Sequence, residues 1–278
     1  MAGSLEGRTA LVTGGGTGIG FGCARRLLEH GARVTIAARR LDVLTAAADR
    51  LHAAVPGAEV RVCQCDVTVE EEVAAAVRMA AGADGQLDIA VANAGSAAPG
   101  PILALTAEHW RYASDLNVLG TALTVKQAAL VMQRRGGSIV AISSGAGVQV
   151  ERFMATYCAT KAGLEMLVRC AAVELAPFKI RVNCIQPGYV PTEGTALGFD
   201  DTTEKTVIDH TPLARPGTAE EIGDAVVYFC ADSGAWVTGQ TIAVDGGLTI
   251  PVGEDFEMLC RRMYGDELMD RCVGPRRG

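Results

Sequence analysis

Long apolar segments are missing from this sequence. Although 49% of its 278 residues are hydrophobic, no stretch approaches the roughly eighteen consecutive apolar residues that a membrane-spanning helix requires. Residues 1–20 also lack the pattern of a signal peptide and are rich in glycine from position 14 onward. We therefore expect a cytoplasmic protein that does not use a membrane.

Linkers and an excess of positive charge are missing as well. No Pro/Gly/Ser-rich stretch or run of like charges divides the chain, and its length fits one large α/β domain. The formal net charge of -7 argues against a dedicated nucleic-acid-binding surface, which needs clustered Lys and Arg. The sequence thus predicts a single-domain protein whose partner is a small molecule.

The nine cysteines lack a metal or disulfide pattern. They are odd in number and scattered, without C-x-x-C pairs or nearby histidine ligands. Cys63 and Cys65 share one side of a predicted strand, where packing is the better explanation than a metal. We expect reduced, mostly buried cysteines and no metal site.

Short apolar segments alternate with helical patterns along most of the chain. Continuous apolar runs such as Ile139–Ile142 suit strands that are buried on both faces of a parallel sheet. The pattern predicts an α/β fold with a doubly wound parallel sheet of the Rossmann type and helices on both faces. Strands are predicted at 8–13, 33–38, 59–63, 87–92, 138–143 and 180–186, and helices at 21–30, 42–54, 69–82, 107–135 and 154–175.

A glycine-rich segment joins the first predicted strand to the first predicted helix. It contains Gly14, Gly18 and Gly20. Glycine lets the backbone turn tightly and approach a pyrophosphate, which the amide groups and positive end of the helix then hold. The spacing departs from G-x-G-x-x-G because position 19 is Ile, so an ordinary tight turn is the alternative.

Tyr157 and Lys161 lie four residues apart in a predicted helix, thirteen residues after Ser144. Positions i and i+4 share a helix face, so the Lys161 ammonium can lie near the phenol and favour its ionised form. A phenol with an ordinary pKa of about 10 then becomes a usable acid and base near neutral pH. Alone, the spacing suits equally a solvated lysine lying over an aromatic ring.

Six residues chosen for different reasons directly follow predicted strands. In doubly wound sheets, ligands bind beyond the carboxyl ends of the strands. We therefore expect one binding crevice along this edge. The residues are Gly14, Ala38, Asp66, Asn93, Ser144 and Pro187.

In their order and approximate spacing, these residues resemble the classical short-chain dehydrogenase/reductase family over about residues 5–250. The resemblance implies hydride transfer between a nicotinamide cofactor and a carbonyl or secondary alcohol carbon. The positions that carry it are Thr13-Gly14-x-x-x-Gly18-x-Gly20, Asp66, Asn93-Ala94-Gly95, Asn117, Ser144, Tyr157, Lys161, Pro187-Gly188, Thr192 and the segment 237–247.

The resemblance also implies the residues of the active site. Tyr157 is expected to exchange the proton with the substrate oxygen, and Ser144 to hydrogen-bond that oxygen. Lys161 is expected to lower the pKa of Tyr157 and to hold the nicotinamide ribose. Asn117 is expected to support a water-linked proton path to Lys161, or to hold together a break in a long helix, or both.

The remaining implied residues bind the cofactor, and the implied assembly is a homotetramer with a dimer as the alternative. The expected cofactor-binding set is Gly14, Gly16, Thr17, Gly18, Ile19, Arg39, Asp66, Val67, Asn93, Ala94, Gly95, Tyr157, Lys161, Pro187, Gly188, Val190 and Thr192.

The end of the second predicted strand bears on the choice of cofactor. An acidic residue there would bind the ribose 2′-hydroxyl and repel a 2′-phosphate. Here the corresponding position is Ala38, and Arg39 and Arg40 follow it. Because guanidinium groups suit bidentate contact with phosphate, we predict NADP(H) over NAD(H), with Arg39 as the contact. The alternative is that both arginines are only solvated at the end of the strand and that the Asp42 side chain turns inward toward the cofactor.

Substrate identity is not encoded in a recognisable pattern. Residues 192–215 fall where the family has a variable substrate lid, and their apolar side chains either line a pocket or pack the lid on the domain. The predicted substrate is an apolar ketone or alcohol. The lid candidates are Ala196, Leu197, Phe199, Val207 and Ile208, and the other pocket candidates are Gln149, Phe153, Met154 and Tyr189.

Residues 251–278 extend beyond the resemblance. Phe256, Leu259, Met263 and Leu268 are spaced as in a helix, with acidic residues early and Arg261 late. They predict an amphipathic C-terminal helix that packs across a subunit interface or closes over the pocket. A locally packed or frayed extension is the alternative.

Two other functions are compatible with the fold. The alternatives to the oxidoreductase are a nucleotide-sensing binding protein without turnover, and an epimerase or dehydratase with a tightly held cofactor. The complete set of Asn117, Ser144, Tyr157 and Lys161 argues against the binding protein.

Overall fold

Seven parallel strands form one sheet in the computed structural model, which describes residues 4–195, 200–251 and 253–272. The strands are β1 (Thr9–Thr13), β2 (Arg33–Ala38), β3 (Val60–Gln64), β4 (Ile89–Ala92), β5 (Gly137–Ile142), β6 (Ile180–Pro187) and β7 (Thr241–Val244). The helices are α1 (Gly18–Glu29), α2 (Leu41–Ala54), α3 (Glu70–Ala81), α4 (Ala107–Ser114), α5 (Gly120–Met132), α6 (Ala155–Leu175), α7 (Asp201–His210), α8 (Ala219–Cys230), α9 (Glu257–Tyr264) and α10 (Asp266–Cys272).

The strand order places a crevice at the centre of the sheet. The order is β3-β2-β1-β4-β5-β6-β7, so the chain first moves outward from β1 to β3 and then returns to β4 on the other side of β1. Strands β1 and β4 are paired in parallel, with Val12 opposite Val91. The connections that leave β1 and β4 therefore diverge at the carboxyl edge, where ligands bind in sheets of this topology.

Alternation along the buried strands divides the core into two layers. In β1, Leu11 packs with side chains from α3, α5 and α6, whereas Ala10 and Val12 pack with side chains from α1, α2 and α8. Successive residues of a strand face opposite sides of the sheet, which explains the division. Each fully buried Leu or Val side chain stabilises the fold by about 1.5–3 kcal/mol.

The predicted doubly wound, single-domain fold is confirmed, with element boundaries that differ by at most three residues. The predicted long helix at 107–135 is interrupted: a π-helical turn, Asp115–Leu119, separates α4 from α5. Helix α6 ends at Leu175 and a 3-10 turn containing Pro177 follows, because proline cannot continue a helix. No described helix combines the length and the apolar character that crossing a bilayer would demand.

The C-terminal extension contains two short helices rather than the single predicted one. They meet at Gly265, whose φ of 83° is favourable only for glycine. The Arg261 guanidinium joins them by pairing with Glu257 of α9 and with Asp266 and Asp270 of α10. The predicted lid contains α7, while its residues 196–199, including Ala196, Leu197 and Phe199, lie outside the described residues.

Candidate active site

The glycine-rich segment forms a tight connection between β1 and the start of α1. Gly14 and Gly18 have φ values of 65° and 51°, in the left-handed region that favours glycine. Within the described residues, Thr17 at the N-cap makes no side-chain capping bond, so the first-turn amides of α1, beginning at Gly18 and Ile19, are not capped from within the helix. Such a helix start is suited to holding a phosphate group.

The ends of β1 and β4 are clamped together by Thr13 and Asn93. The Thr13 hydroxyl oxygen accepts hydrogen bonds from the backbone N–H groups of Asn93 at 3.0 Å and Ala94 at 3.2 Å. In return, the Asn93 side-chain amide donates to the Thr13 carbonyl at 2.9 Å. A methyl group on Gly14 would lie 2.7 Å from the Asn93 amide nitrogen, so this position must be glycine.

A pocket of about 230 Å³ lies beyond the carboxyl ends of β2 and β3. Asp66 accepts hydrogen bonds in it from the backbone N–H and hydroxyl of Thr68 at 2.9 and 2.7 Å. The Thr68 N–H bond, together with the Arg39 charge, lowers the pKa of Asp66 below its ordinary value. Val67 next to it is buried against Gly120. The pocket is lined by Arg39, Asp66, Thr68, Tyr112, Asp115 and Leu116.

The segment that follows β6 closes on the glycine-rich segment. A methyl group on Gly18 would lie 2.9 Å from the Thr192 methyl carbon, which places the two segments in direct contact. The turn after Pro187 is fixed by the Gly188 N–H, which donates to the Val244 carbonyl at 3.1 Å. Val190 is buried in this turn. The crevice therefore has walls from β1, β4 and β6.

Ser144 lies beside the phenol of Tyr157, and its hydroxyl oxygen also accepts from the Ala146 N–H at 3.2 Å. Burial raises the pKa of Tyr157 to about 12, the Ser144 hydrogen bond opposes this rise, and the charge of Glu151 adds to it. The sequence predicts that Lys161 lowers the pKa of Tyr157. In the structure the pKa of Tyr157 is instead raised, and Lys161 is not among the groups that shift it. The phenol is consequently protonated at neutral pH.

Lys161 lies beside the Tyr157 ring, with its ammonium nitrogen 5.4 Å from the ring centre. It is 4% exposed and donates to the Ile142 carbonyl at 2.8 Å. Burial lowers the pKa of Lys161 to about 8, although the neighbouring Cys184 and Glu165 side chains act in the opposite direction. Because the ammonium bonds to backbone rather than to the phenol, desolvation dominates the pKa of Tyr157.

Asn117 occupies the π-helical turn between α4 and α5. It is fully buried, accepts from the Ser96 N–H at 2.9 Å, and donates to the Ser96 carbonyl at 2.8 Å. It also donates to the Thr160 hydroxyl at 2.9 Å, next to Lys161 in sequence. A methyl group on Gly95 would lie 2.9 Å from the Asn117 oxygen and 3.4 Å from the Lys161 nitrogen. The amide thus ties the helix break to the segment after β4 and to α6.

Comparison with known proteins agrees with this arrangement. The model of a family described as enoyl-(acyl carrier protein) reductase matches residues 14–249. A cis-4-hydroxycyclohexanecarboxylate dehydrogenase from Sinomonas cyclohexanicum is 38% identical over 247 residues, which cover 87% of this chain and 96% of the relative. The chain belongs to the short-chain dehydrogenase/reductase family. It is an oxidoreductase of the hydride-transfer type.

Solved structures of this dehydrogenase/reductase family have the same fold. A short-chain type dehydrogenase/reductase from Mycobacterium ulcerans is 37% identical with a TM-score of 0.85, covering 95% of this chain and 98% of its own. A 7α-hydroxysteroid dehydrogenase, in complex with NADH and 7-oxo glycochenodeoxycholic acid, is 32% identical with a TM-score of 0.83, covering 87% of this chain and 94% of its own.

The crevice of this dehydrogenase/reductase fits the cofactor class of its family, which uses NAD(H) or NADP(H). A side chain at Gly14 or Gly95 would collide with Asn93 or Asn117, so both glycines allow the backbone at the crevice to pack closely against these amides. The pocket beside Arg39 and Asp66 would take the adenosine end. In residues 4–195, 200–251 and 253–272, no cluster of three or more His, Cys, Asp or Glu side chains is placed to hold a metal ion.

Several residues of the site were missed in the sequence. The first of them is Glu165, one helical turn beyond Lys161. A glutamate in a helix is ordinarily expected to be solvated, so its burial was not predicted. The spacing of Glu165, four residues after Lys161 and eight after Tyr157, was the available signal. Glu151, near the phenol, and Asp115, in the pocket beside Arg39, carry no comparable local pattern.

Proposed function

We propose that this chain is an NADP(H)-dependent oxidoreductase that interconverts an apolar ketone and the corresponding secondary alcohol. The observation that carries the proposal is the grouping of three side chains at the edge of the crevice: Ser144 lies close enough to Tyr157 to lower its pKa, and the Lys161 nitrogen lies 5.4 Å from the Tyr157 ring centre. Bound there, the cofactor supplies the hydride. The chain supplies the proton and the groups that orient the substrate oxygen.

Proton transfer is assigned to Tyr157. With a pKa of about 12 it is protonated at neutral pH and is ready to donate to the oxygen of a ketone being reduced. Ser144, within hydrogen-bonding reach of the phenol, orients that oxygen. In this assignment carbonyl reduction is the direction favoured near pH 7, and alcohol oxidation is favoured as the pH rises.

Lys161 and Asn117 complete the assignment. The Lys161 ammonium uses one N–H group in its bond to the Ile142 carbonyl. Its other N–H groups are assigned to the nicotinamide ribose. Asn117 holds the helix break and, by the same position, lies where a water-linked proton path toward Lys161 would begin. The two roles are compatible, since its amide contacts both Ser96 and Thr160.

NADP(H) is favoured over NAD(H) by the residues beyond β2. Ala38 stands where an acidic residue would repel a 2′-phosphate, and Arg39 lines the adenosine pocket. Within the described part of the chain, the Arg39 and Arg40 side chains form no ion pair of 4 Å or less. Both are exposed and available to a phosphate group.

An apolar substrate is favoured by the surroundings of Tyr157. Phe153 and Met154 precede α6, and Val207 and Ile208 of α7 are half-buried in the lid region. The named substrates of the cis-4-hydroxycyclohexanecarboxylate dehydrogenase and the 7α-hydroxysteroid dehydrogenase both carry a hydroxyl group on a ring. We therefore expect cyclic secondary alcohols and ketones to be turned over first.

A homotetramer in the cytoplasm is the proposed state of the protein. Large apolar side chains are exposed on two groups of elements, and exposed apolar patches commonly mark self-association. The first group is α4 and α6 with Trp110, Met166 and Val173, and the second is α8 and the segment before β7 with Tyr228 and the fully exposed Trp236. Two separate self-association faces are what a tetramer with dihedral symmetry requires.

The test is a panel of cyclic and acyclic ketones and alcohols assayed at the nicotinamide absorbance with NADPH, NADP⁺, NADH and NAD⁺. The proposal requires net NADPH consumption with a ketone, or NADPH formation with an alcohol. Conversion of a substrate without net change in cofactor would indicate an epimerase or dehydratase. Saturable cofactor binding without turnover of any compound would favour the nucleotide-sensing function.

A further inference from the structure

Glu165 is a buried carboxylate directly behind the proposed catalytic groups. It is 4% exposed and lies one turn after Lys161 on the same face of α6. One of its oxygens accepts from the Ser143 hydroxyl at 2.8 Å and from the Gln186 amide at 2.7 Å. A methyl group on Gly147 would clash with that oxygen. An isolated charge is costly to bury, so its position calls for an explanation.

The two donors each precede a wall of the crevice by one residue. Ser143 stands directly before Ser144, and Gln186 directly before Pro187 and Gly188. One carboxylate oxygen therefore connects the ends of β5 and β6 to α6, which carries Tyr157. Charge-assisted hydrogen bonds are about twice as strong as neutral ones, so these connections are stiff.

Glu165 is also close to Lys161: the two lie one turn apart on α6, and the Ser143 hydroxyl that bonds the Glu165 carboxylate is 3.4 Å from the Lys161 carbonyl oxygen. The other groups around the ammonium are the Ile142 carbonyl and the Cys184 thiol, with Tyr157 on the same helix. Burial raises the pKa of Cys184 to about 12, so that thiol is neutral at physiological pH. Glu165 thus remains as the anion that opposes the desolvation of Lys161.

We propose that Glu165 is a positioning residue of this active site: its carboxylate anchors the Ser144 and Pro187 segments to α6 and places a negative charge one helical turn from Lys161. This inference rests on the proposed function, because it assigns Glu165 to the same reaction. It acts through Ser143, Gln186 and Lys161, and touches neither substrate nor cofactor.

The composition of the chain makes the charge role directly measurable. The sequence contains four lysines, of which Lys161 is buried and Lys126, Lys179 and Lys205 are exposed. The protein is labelled with ¹³C at the lysine ε-carbon and its NMR signals are followed as a function of pH. The Lys161 signal is expected to have a titration midpoint near pH 8. In Glu165→Gln we expect this midpoint to fall by about one pH unit, which reduces the ammonium fraction at pH 8 from about one half to about one tenth.

Glu70 provides a matched control. It pairs with Lys126 at 2.6 Å and accepts from the Gln127 amide at 2.7 Å, so its partners are of the same kind, but it lies on the surface between α3 and α5. Glu70→Gln should leave the Lys161 midpoint and the pH dependence of kcat/KM unchanged. In Glu165→Gln, the alkaline limb of kcat/KM for ketone reduction should move to lower pH together with the midpoint.

Glu165→Asp separates the anchoring role from the charge. It keeps the negative charge but withdraws the oxygen from both donors, so we expect a Lys161 midpoint near the wild-type value and a kcat lower by about tenfold. A Lys161 midpoint that does not change in Glu165→Gln would overturn the charge role. A Glu165→Asp variant with wild-type kcat would overturn the anchoring role, whether or not Glu165→Gln folds.

A wild-type protein without turnover would instead refute the proposed function, because the lysine titration does not depend on activity.

Discussion

The Lys161 ammonium nitrogen lies 5.4 Å from the centre of the Tyr157 ring, yet it donates its hydrogen bond to the Ile142 carbonyl at 2.8 Å. The cation therefore faces the ring and the backbone, and the phenolic hydroxyl meets Ser144. Desolvation is then the larger influence on both groups: it raises the pKa of Tyr157 to about 12 and lowers that of Lys161 to about 8. Both pKa values shift in the direction that favours the uncharged form, but Lys161 with a pKa of about 8 is still mostly an ammonium at pH 7.

Tyr157→Phe removes the proposed proton donor while retaining the ring. We expect kcat for ketone reduction to fall by a factor of roughly 10²–10⁴, because general acid catalysis contributes about that much. The Kd for NADPH, measured by fluorescence titration, should change little. Retention of more than about a tenth of the wild-type kcat would remove Tyr157 from this role.

Glu151→Gln should shift the pH dependence of alcohol oxidation. The Glu151 charge raises the pKa of Tyr157, so its removal lowers that pKa. The rise in kcat/KM that accompanies formation of the phenolate should then move to lower pH, by up to about one unit. Arg152→Gln is the control, since its guanidinium stacks on Phe153 at 4.5 Å. A profile that stays in place, or moves to higher pH, would contradict the assignment.

Arg39→Ala should weaken the use of NADPH specifically. Loss of a charge-assisted contact with the 2′-phosphate costs about 1.5–3 kcal/mol, or roughly 10–100-fold in kcat/KM. The values for NADH should be nearly unchanged, and Arg40→Ala should have the smaller effect of the two substitutions. A wild-type preference for NADH would refute the cofactor assignment.

Gly20→Ala tests the tightness of the β1–α1 connection. The added methyl group would clash with the Gly14 carbonyl oxygen and lie 2.5 Å from the Asn93 amide nitrogen. We expect a loss of about 1–3 kcal/mol in the free energy of unfolding, measured by urea denaturation, and a higher Kd for NADPH. At Gly253 an added methyl group meets no atom within 4 Å, so Gly253→Ala should match the wild type in both measurements.

Deletion of residues 251–278 tests the C-terminal extension. Helices α9 and α10 pack on each other and make few contacts with the other described elements. Phe256, Met263 and Tyr264 are exposed in this segment. We expect the deletion to change either the oligomer mass measured by light scattering or the KM for the substrate. Arg261→Ala should reproduce that change by separating the two helices, and Arg262→Ala should not. Identical mass and KM in the deleted protein would dismiss the role.

Local patterns in the sequence were sufficient for the fold and for most of the site. Short apolar runs alternating with helical ones predict a doubly wound sheet because a parallel strand is buried on both faces and must be covered by helices. The residues that follow those strands then converge on one edge whatever the details of packing. Gly14, Asn93, Ser144 and Pro187 could be assigned to the crevice on this ground alone.

Other properties were decided only by the tertiary structure, because they depend on which distant groups meet. Glu165 is buried between Ser143 and Gln186, which lie 22 and 21 residues away from it along the chain. The pKa of Tyr157 is set by burial, an effect that helical spacing does not reveal. Residue identity and order thus determined where the chemistry is located, whereas desolvation and long-range hydrogen bonds determined how its groups hold their protons.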